Sequence, residues 1–324
     1  MTLSSPAPGG VPAPPAATVP RRGPLTDGSD EGPPAGVPRL GSAQGSWWRQ
    51  VGWRHLVGLL ALAFALFPIL FVVSAAFNPL GTLGSSRLWP TGAGLENFAG
   101  LFGDTSYVRW LGNTLLIGSL SAGLSVFISA CAAFAFSRFR FTGRRMGLLS
   151  VLLVQMFPQF LNVVSLYLIF TVVGEFYPAL GFNTPWALIL LSLGTALGVN
   201  TWLMKGFFDT IPIDLDESAK VDGATHPQVF FGIILPLVRP ILAVTGLLAF
   251  ITTVNEFVLA SVFLTQDEDR TVAVGLYSLV SAQNENNFGV FAAGALITAI
   301  PTVLLFQYLQ RYIVGGLTAG AVKG

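Results

Sequence analysis

The amino-acid sequence predicts an all-α membrane protein with six transmembrane helices and a helical cytoplasmic loop between the fourth and the fifth. First, 52% of the 324 residues are hydrophobic and only 10% are charged, less than half the charged share of an ordinary soluble domain. Second, six apolar segments are each long enough for the roughly 20 residues that cross a bilayer as a helix. Third, positive charges concentrate on alternate connecting loops, which is typical of polytopic membrane proteins.

The first 48 residues differ in composition from the rest of the chain. Runs such as SSPAPGGVPAPPAATVP are rich in proline, glycine, serine and alanine. They cannot bury enough apolar surface to offset the loss of chain entropy on folding. We therefore expect a disordered cytoplasmic tail over residues 1–48, a transmembrane domain over 49–316 and a short C-terminal tail over 317–324. The N-terminal tail is not a signal peptide, because no basic start precedes an apolar core.

The apolar segments set the order of the predicted transmembrane helices. Proline lies inside three of them, at Pro68, Pro158 and Pro301, and we expect Pro158 to break the third segment. Proline is tolerated in transmembrane helices where neighbours or water satisfy the freed carbonyl. The six segments are residues 55–77, 110–136, 146–173, 186–208, 240–264 and 288–312.

The distribution of lysine and arginine predicts the orientation in the membrane. Of the 17 basic residues, fourteen precede the first segment, lie in or beside the second and fourth connections, or lie at the C-terminal end. Only Arg87, Arg109 and Arg270 lie in the other set of loops. The positive-inside rule then places both termini, and the loop formed by residues 210–240, in the cytoplasm.

The 210–240 loop has the punctuation of ordered helix. Asp214 and Glu217 have the spacing of a capping box, and acidic residues in a first turn favour the positive end of the helix dipole. Gly223 predicts a stop, because glycine takes the left-handed conformation that ends helices. A second helix start follows at once, with its signals at Thr225, Pro227 and Gln228. We predict two short helices with a bend at Gly223.

Polar residues inside the apolar segments mark a candidate substrate pathway, because exposing them to lipid is costly. In the third segment Gln155, Gln159 and Asn162 have helical i, i+4, i+7 spacing and share one face. The fourth segment carries Asn200 and Thr201, and the fifth carries Thr252, Thr253, Asn255 and Glu256. Neutral amides and hydroxyls suit an uncharged, polyhydroxylated solute. Hydrogen bonds between helices are the alternative role for these side chains.

No motif for chemistry or for nucleotide binding is present in the sequence. It contains neither G-x4-G-K-[ST] nor H-E-x-x-H nor G-x-S-x-G. The single cysteine, Cys131, and the two histidines, His55 and His226, do not have metal-ligand spacing. We expect a transport subunit that is not an enzyme and that holds no metal or cofactor of its own. Its energy then comes from a partner or from an ion gradient.

One pattern in the 210–240 loop resembles a known family. Its residues follow the order E-A-A-x3-G-x9-I-x-L-P, with Ser218 in place of the usual first alanine. This is the cytoplasmic loop signature of permease subunits of bacterial ATP-binding-cassette importers, and the resemblance implies a coupling helix docked in a groove of a separate ATPase. The matching positions are Glu217, Ala219, Gly223, Ile233, Leu235 and Pro236.

From about residue 113 onward the chain resembles the MalG-type permeases of maltose and maltodextrin importers. The resemblance is carried by QMFP in the third segment, by VDGAT, which contains Asp222 and Ala224, and by the ending RYIVGGLTAGAVKG. It implies a MalF-type second permease, two copies of an ATPase that binds ATP and magnesium, an extracytoplasmic sugar-binding protein and alternating access. It implies no nucleic-acid partner.

The same resemblance assigns two further contacts. The loop between the fifth and sixth helices would reach the binding protein, through Thr265, Gln266, Asp267, Glu268, Asp269 and Arg270. The C-terminal tail would reach the ATPase dimer, through Gly320, Ala321 and Lys323. A solvated acidic turn and a frayed chain end are the alternatives.

Three alternatives to a maltodextrin permease stay open at the level of sequence. The sugar is instead trehalose or a cyclodextrin; or the chain is an ion-coupled secondary transporter, for which Glu256 is nearly the only coupling group; or it is a subunit that assembles with a transporter but does not transport.

Overall fold

A computed structural model of the protein describes residues 51–89, 92–281 and 287–321. Side chains at 159–160, 195–196 and 314–321 lie outside this description. The predicted disordered tail over 1–48 and the predicted tail contacts at Gly320, Ala321 and Lys323 therefore remain predictions. The chain divides into a first unit, Met1–Leu60, and a second unit, Ala61–Gly324. The description of the first unit is confined to its last residues, which belong to a helix.

All regular structure in the described part of the chain is helical. Between α8 and α9 one turn is wound as a π-helix, Phe230–Ile234. The helices are α1 (Trp53–Ala76), α2 (Glu96–Gly103), α3 (Tyr107–Arg138), α4 (Arg144–Gln155), α5 (Gln159–Phe176), α6 (Pro185–Phe208), α7 (Asp214–Val221), α8 (His226–Val229), α9 (Leu235–Leu237), α10 (Arg239–Val254), α11 (Val258–Phe263), α12 (Val272–Ser281) and α13 (Phe288–Ala321).

Three helices of the described residues are long and apolar enough to cross a membrane, namely Trp53–Ala76, Tyr107–Arg138 and Phe288–Ile313. The number rises to five if each of two bent helix pairs forms one span. One of these pairs joins His226–Leu237 to Arg239–Val254 at an angle of 79°. The helical fold class is confirmed, and the described residues contain three to five candidate spans by length and composition.

The predicted third and fifth segments are both interrupted. Pro158 separates α4 from α5, as its ring and missing N–H predict. The fifth predicted segment, 240–264, is divided as well, since α10 ends at Val254 and α11 begins at Val258. At the break, the Glu256 carboxylate accepts a hydrogen bond from the backbone N–H of Leu259 at 2.9 Å, which satisfies one of the free donors at the start of α11.

Helix α3 lies at the centre of the second unit and packs along both α6 and α10. Its first turn is buried with α2, α12 and α13 in a cluster that contains Tyr107 and Trp110. Its last turns are buried with α6 and the 210–240 loop in a cluster that contains Phe134 and Phe208. Each end of α3 therefore contacts a different connecting loop.

Candidate functional site

A polar cavity of about 350 Å³ is bordered by α4, α6, α10 and α11. Its volume lies at the lower end of the roughly 300–1,000 Å³ typical of small-molecule sites. Three segments that are distant in sequence each contribute polar side chains that the sequence singled out. These residues are Gln155, Asn200, Thr252, Thr253 and Glu256, and Ser192 joins them.

The polar side chains of this cavity are held in place by bonds to the helices. Asn200 is buried and donates from Nδ2 to the Ser125 hydroxyl at 3.0 Å. Thr253 donates to the carbonyl of Ala249 at 3.0 Å. The cavity wall is therefore partly preorganised, and Asn200 makes an interhelical bond of the kind that the sequence left as the alternative.

Glycine at position 198 allows Gln155 to lie against α6. A β-carbon there would come within 2.3 Å of Gln155 Nε2, closer than unbonded atoms tolerate. Gln155 borders both the polar cavity and a second, largely apolar cavity of about 430 Å³. Asn162 lines only this apolar cavity. Gln155 thus lies at the border between the two cavities.

Two predicted pathway residues are not placed in these cavities. The side chain of Gln159 lies outside the described residues. Asn255 is exposed and donates from Nδ2 to Ile251 O, one turn back in its own helix, at 2.8 Å. Asn255 therefore belongs to the end of α10 and not to the lining of either cavity.

The 210–240 loop contains the predicted bend at Gly223. Helix α7 ends in a Schellman motif, in which Ala224 N bonds to Ala219 O at 2.9 Å and Gly223 N bonds to Lys220 O at 3.0 Å. Gly223 has a φ of +86°, a left-handed conformation that a β-carbon disfavours. The glycine is therefore required by the backbone and not by crowding, because open space surrounds it.

The second predicted helix start is confirmed, whereas the first is wrong in detail. Thr225 caps α8 in a capping box, and Gln228 Oε1 accepts from the Thr225 backbone N–H at 2.8 Å. At α7, in contrast, Ile213 already has helical dihedrals and Asp214 is the first residue inside the helix. Asp214 therefore forms no capping box with Glu217. Glu217 does lie in the first turn, as predicted.

The signature residues of the 210–240 loop divide by exposure. One set faces outward and is available to a partner: Glu217, Ser218, Asp222 and Gly223. The other set is half-buried against the protein: Ala219, Ala224, Ile233, Leu235 and Pro236. The loop thus has an attached side and a free side.

An ion pair that the sequence did not predict attaches α7 to the end of α3. Arg138 Nε lies 2.6 Å from Asp216 Oδ2, and the two side chains are only 6% and 5% exposed. The N–H is not aligned as a hydrogen bond, so the contact is a close charge pair. In the sequence, Arg138 was only one of several arginines predicted to be cytoplasmic, and nothing marked a partner 78 residues away.

A second charged contact lies beside it. Asp209, which ends α6, accepts from the Ser137 hydroxyl at 2.7 Å and pairs with Lys205. Burial favours the neutral carboxyl, but these hydrogen bonds and the charges of Lys205 and Arg144 outweigh it. The pKa of Asp209 consequently lies below its ordinary value.

At the opposite end of α3, residues 265–270 form an acidic turn that is tied down by hydrogen bonds. Trp110 Nε1 donates to Asp267 O at 2.7 Å, and Asn113 Nδ2 donates to Glu268 O at 2.9 Å. Arg109 pairs with the Glu268 carboxylate. The turn is thus an ordered surface feature, with the side chains of Asp267 and Glu268 half or more exposed.

Comparison with known proteins places the fold and the family. Residues 125–318 match the family described as the binding-protein-dependent transport system inner membrane component. A crystal structure of a bacterial ABC transporter involved in the import of the acidic polysaccharide alginate contains a chain with the same fold. The TM-score is 0.70 at 21% identity, over 84% of this chain and 98% of that one.

Named relatives are similar over most of their length. The galactooligosaccharides transport system permease protein GanQ of Bacillus subtilis is 40% identical over 84% of this chain and 96% of its own. The maltodextrin permease MdxG of the same organism is 38% identical over 80% of this chain and 91% of its own. MalG of Escherichia coli is 37% identical over 83% of this chain and 95% of its own. The chain therefore belongs to the inner-membrane components of binding-protein-dependent transport systems, as a MalG-type permease subunit of an ATP-binding-cassette importer.

Proposed function

We propose that this permease subunit carries neutral oligosaccharides of the maltodextrin type across the cytoplasmic membrane. The polar cavity is the observation that carries the proposal, because Gln155, Asn200 and Thr252 supply uncharged donors and acceptors around one space. Sugar hydroxyls need such groups. Relatives named for maltodextrin transport support the choice of sugar.

Glu256 makes the cavity selective by charge in this proposal. It is the only ionisable residue among those that line the polar cavity. A carboxylate in a partly desolvated site repels anionic ligands strongly. Neutral sugars are therefore favoured over uronic acids, in contrast to the alginate cargo of the transporter that shares the fold.

The proposed topology has six spans with both termini in the cytoplasm. In this proposal α4 and α5 together make the third crossing, and α10 with α11 makes the fifth. The bias of basic residues supports the orientation, and the buried clusters at the two ends of α3 agree with loops on opposite sides.

The 210–240 loop is the proposed contact with a cytoplasmic ATPase. Glu217, Ser218 and Asp222 face outward, while the half-buried side of the loop is fixed to α3 and α6. A docking element needs an exposed side that the partner can push and a buried side that passes the displacement to the membrane helices. The C-terminal tail is proposed to reach the ATPase dimer interface.

The proposed assembly contains a MalF-type second permease, two ATPase copies that bind ATP and magnesium, and an extracytoplasmic sugar-binding protein. The family description itself names dependence on a binding protein. The acidic turn at 265–270 is the proposed contact with it, since its carboxylates are exposed on an anchored backbone.

Reconstituted vesicles test the function. The complex of this chain with its partner permease, ATPase and binding protein should take up labelled maltodextrin only with ATP. Maltose, trehalose, cyclodextrin and alginate oligosaccharides form the comparison panel. Glu256→Gln should leave maltodextrin uptake within about threefold and narrow the difference from uronic-acid oligomers, as loss of one charge contact implies. Uptake by this chain alone, abolished by an ionophore, would contradict the proposal.

Gly223 tests the proposed role of the loop. Gly223→Val imposes a β-branched residue on a positive φ, so ATP-driven uptake should fall while the membrane segments remain inserted. Gly232→Val is the matched control, because that glycine also lies in open space but has no positive φ. Equal uptake by both variants would argue against a coupling function for the bend.

Galactooligosaccharides are the second candidate cargo. The observation that favours them is the 40% identity to a permease named for those sugars. Competition in the same vesicles separates the two cases: an excess of unlabelled galactooligosaccharide should not reduce maltodextrin uptake under the first proposal and should reduce it under the second.

A further inference from the structure

Helix α7 is attached to the rest of the protein by a charge instead of an apolar face. Asp216 is its one buried residue, and Ala219, three residues later on the same face, is half-buried. The remaining residues of α7 are exposed, with Val221 at 88%. A surface helix ordinarily buries an apolar stripe, so the attachment of α7 is unusual and concentrated at one carboxylate.

Arg138 receives this carboxylate and grips the chain at a second point. Its Nε lies 2.6 Å from Asp216 Oδ2, and its Nη2 donates to Ile211 O at 3.1 Å. The preceding residue, Ser137, donates to Asp209 Oδ1 at 2.7 Å. The last turn of α3 therefore holds the connection from α6 to α7 at its start and middle, and holds α7 itself.

A buried ion pair is a poor device for stability alone. Removing two charges from water is costly, and an apolar pair of similar volume is often at least as stabilising. Here Asp216 Oδ1 has no hydrogen-bond partner within the described structure, so the desolvation is not fully compensated. The planar guanidinium, however, fixes direction as well as distance. The arrangement suits the control of orientation better than the gain of stability.

We propose that Arg138 and Asp216 are a positioning pair that makes α7 and the last turn of α3 move as one rigid body. The inference rests on the proposed coupling function of the 210–240 loop. A displacement of α7 by its partner is then transmitted to α3 and is not absorbed by bending of the connection. Neither residue touches the cargo; both act through the helix they join.

The displaced helix leads to the polar cavity. Ser125 lies thirteen residues before Arg138 on α3, about 20 Å along the helix axis. Its hydroxyl accepts the hydrogen bond from Asn200 Nδ2 at 3.0 Å, and Asn200 lines the cavity. One uninterrupted helix thus connects the charge pair to the cavity wall.

A distance measurement tests rigid-body motion directly. Spin labels at Leu124→Cys on α3 and Val221→Cys on α7, with Cys131→Ser, are read by pulsed electron resonance in the reconstituted complex. The distance between them should change by less than about 2 Å between nucleotide-free and ATP-bound states, the scale of ordinary helix shifts. The Arg138→Met/Asp216→Leu double variant should broaden the distribution of distances between the two labels. A larger change in the unmodified pair, with uptake intact, would overturn the proposal.

The ratio of sugar transported to ATP hydrolysed gives an independent readout. The Arg138→Met/Asp216→Leu complex should assemble, yet its ratio should fall about fivefold or more, the lower end of ordinary coupling between sites. Arg140→Met, an exposed arginine in the next loop, is the matched control and should keep the normal ratio. A normal ratio in the double variant would refute a positioning role.

A variant with conserved charge keeps the test decisive if the double variant does not assemble. Arg138→Lys retains the charge but loses the second donor to Ile211 O, so its ratio should fall about twofold or more; an unchanged ratio overturns the proposal. Absence of ATP-driven uptake by the unmodified complex would instead refute the proposed function. The two failures are therefore distinguishable.

Discussion

The two ends of α3 each hold a connecting loop, but by different physical means. At the first turn, the acidic turn at 265–270 is held by Trp110 and Asn113, which donate to backbone carbonyls, and by the exposed Arg109–Glu268 pair. At the last turn, α7 is held by a charge pair removed from water. The acidic turn is thus held by several separate contacts, whereas α7 itself depends on one charge pair, in which the loss of either partner is costly.

This difference agrees with the proposed roles of the two loops. A surface that binds and releases a soluble partner tolerates adjustment, because exposed pairs can break and re-form at little cost. A loop that transmits displacement must keep its orientation, which a buried guanidinium–carboxylate pair fixes. The comparison predicts that mutations at the two ends of α3 differ strongly in how much stability they remove.

The largest effect on stability is expected when one partner of the Arg138–Asp216 pair is removed. Arg138→Met leaves the Asp216 carboxylate buried and unpaired, which costs about 3–5 kcal/mol. The thermal midpoint of the purified complex should fall sharply, and Asp216→Leu on the same chain should restore most of it. If Arg138→Met alone were as stable as the double variant, the last turn of α3 would not depend on this charge pair.

The next effect is expected at Trp110. Trp110→Phe removes the donor to Asp267 O from a side chain that is 2% exposed, and an unpaired carbonyl costs about 1–3 kcal/mol. The loss should be measurable as a lower thermal midpoint. Trp89→Phe is the control, since Trp89 is 81% exposed and its replacement should change little.

A smaller effect is expected from acid at Asp209. Because its pKa is lowered in the folded protein, its contribution to stability is complete at neutral pH and is lost as the pH falls below the ordinary carboxyl range, roughly 4. Asp209→Asn should therefore lower the thermal midpoint at neutral pH but have less effect in acid. The same loss at both pH values would show that the charge is not responsible.

The smallest effect on stability is expected at the exposed Arg109–Glu268 pair. Glu268→Gln removes a contact between side chains that are 61% and 70% exposed, which is worth less than about 1 kcal/mol. The small change in thermal midpoint should vanish in about 1 M salt, where the screening length is only a few ångströms. A large, salt-independent loss would make the two ends of α3 alike.

The sequence predicted the elements that depend on local signals. Apolar length placed most of the long helices, and the Gly223 bend and the Thr225–Gln228 capping box follow from residue types at fixed spacing. Asp214 was misplaced by one position, because Ile213 before it already has helical dihedrals. Local patterns therefore predict the presence of a helix more reliably than they predict the residue at which it starts.

What the sequence could not predict depends on tertiary contact. Gln155, Asn200 and Glu256 were each identified as polar residues in apolar segments, but only packing shows that they share a cavity. Asn255 carried the same signal as Glu256 and instead bonds to its own helix. The Arg138–Asp216 pair had no signal, because an arginine near a membrane end is expected for orientation alone.

The most direct test of the account is a cross-link from the exposed side of α7. Val221→Cys in a chain with Cys131→Ser, carrying a thiol-attached photo-cross-linker, is irradiated in membranes that contain the whole complex. We expect an adduct between this chain and the cytoplasmic ATPase, and the yield of the adduct should change when ATP is added. An adduct with the extracytoplasmic binding protein, or none with the ATPase in a complex that transports sugar, would contradict it.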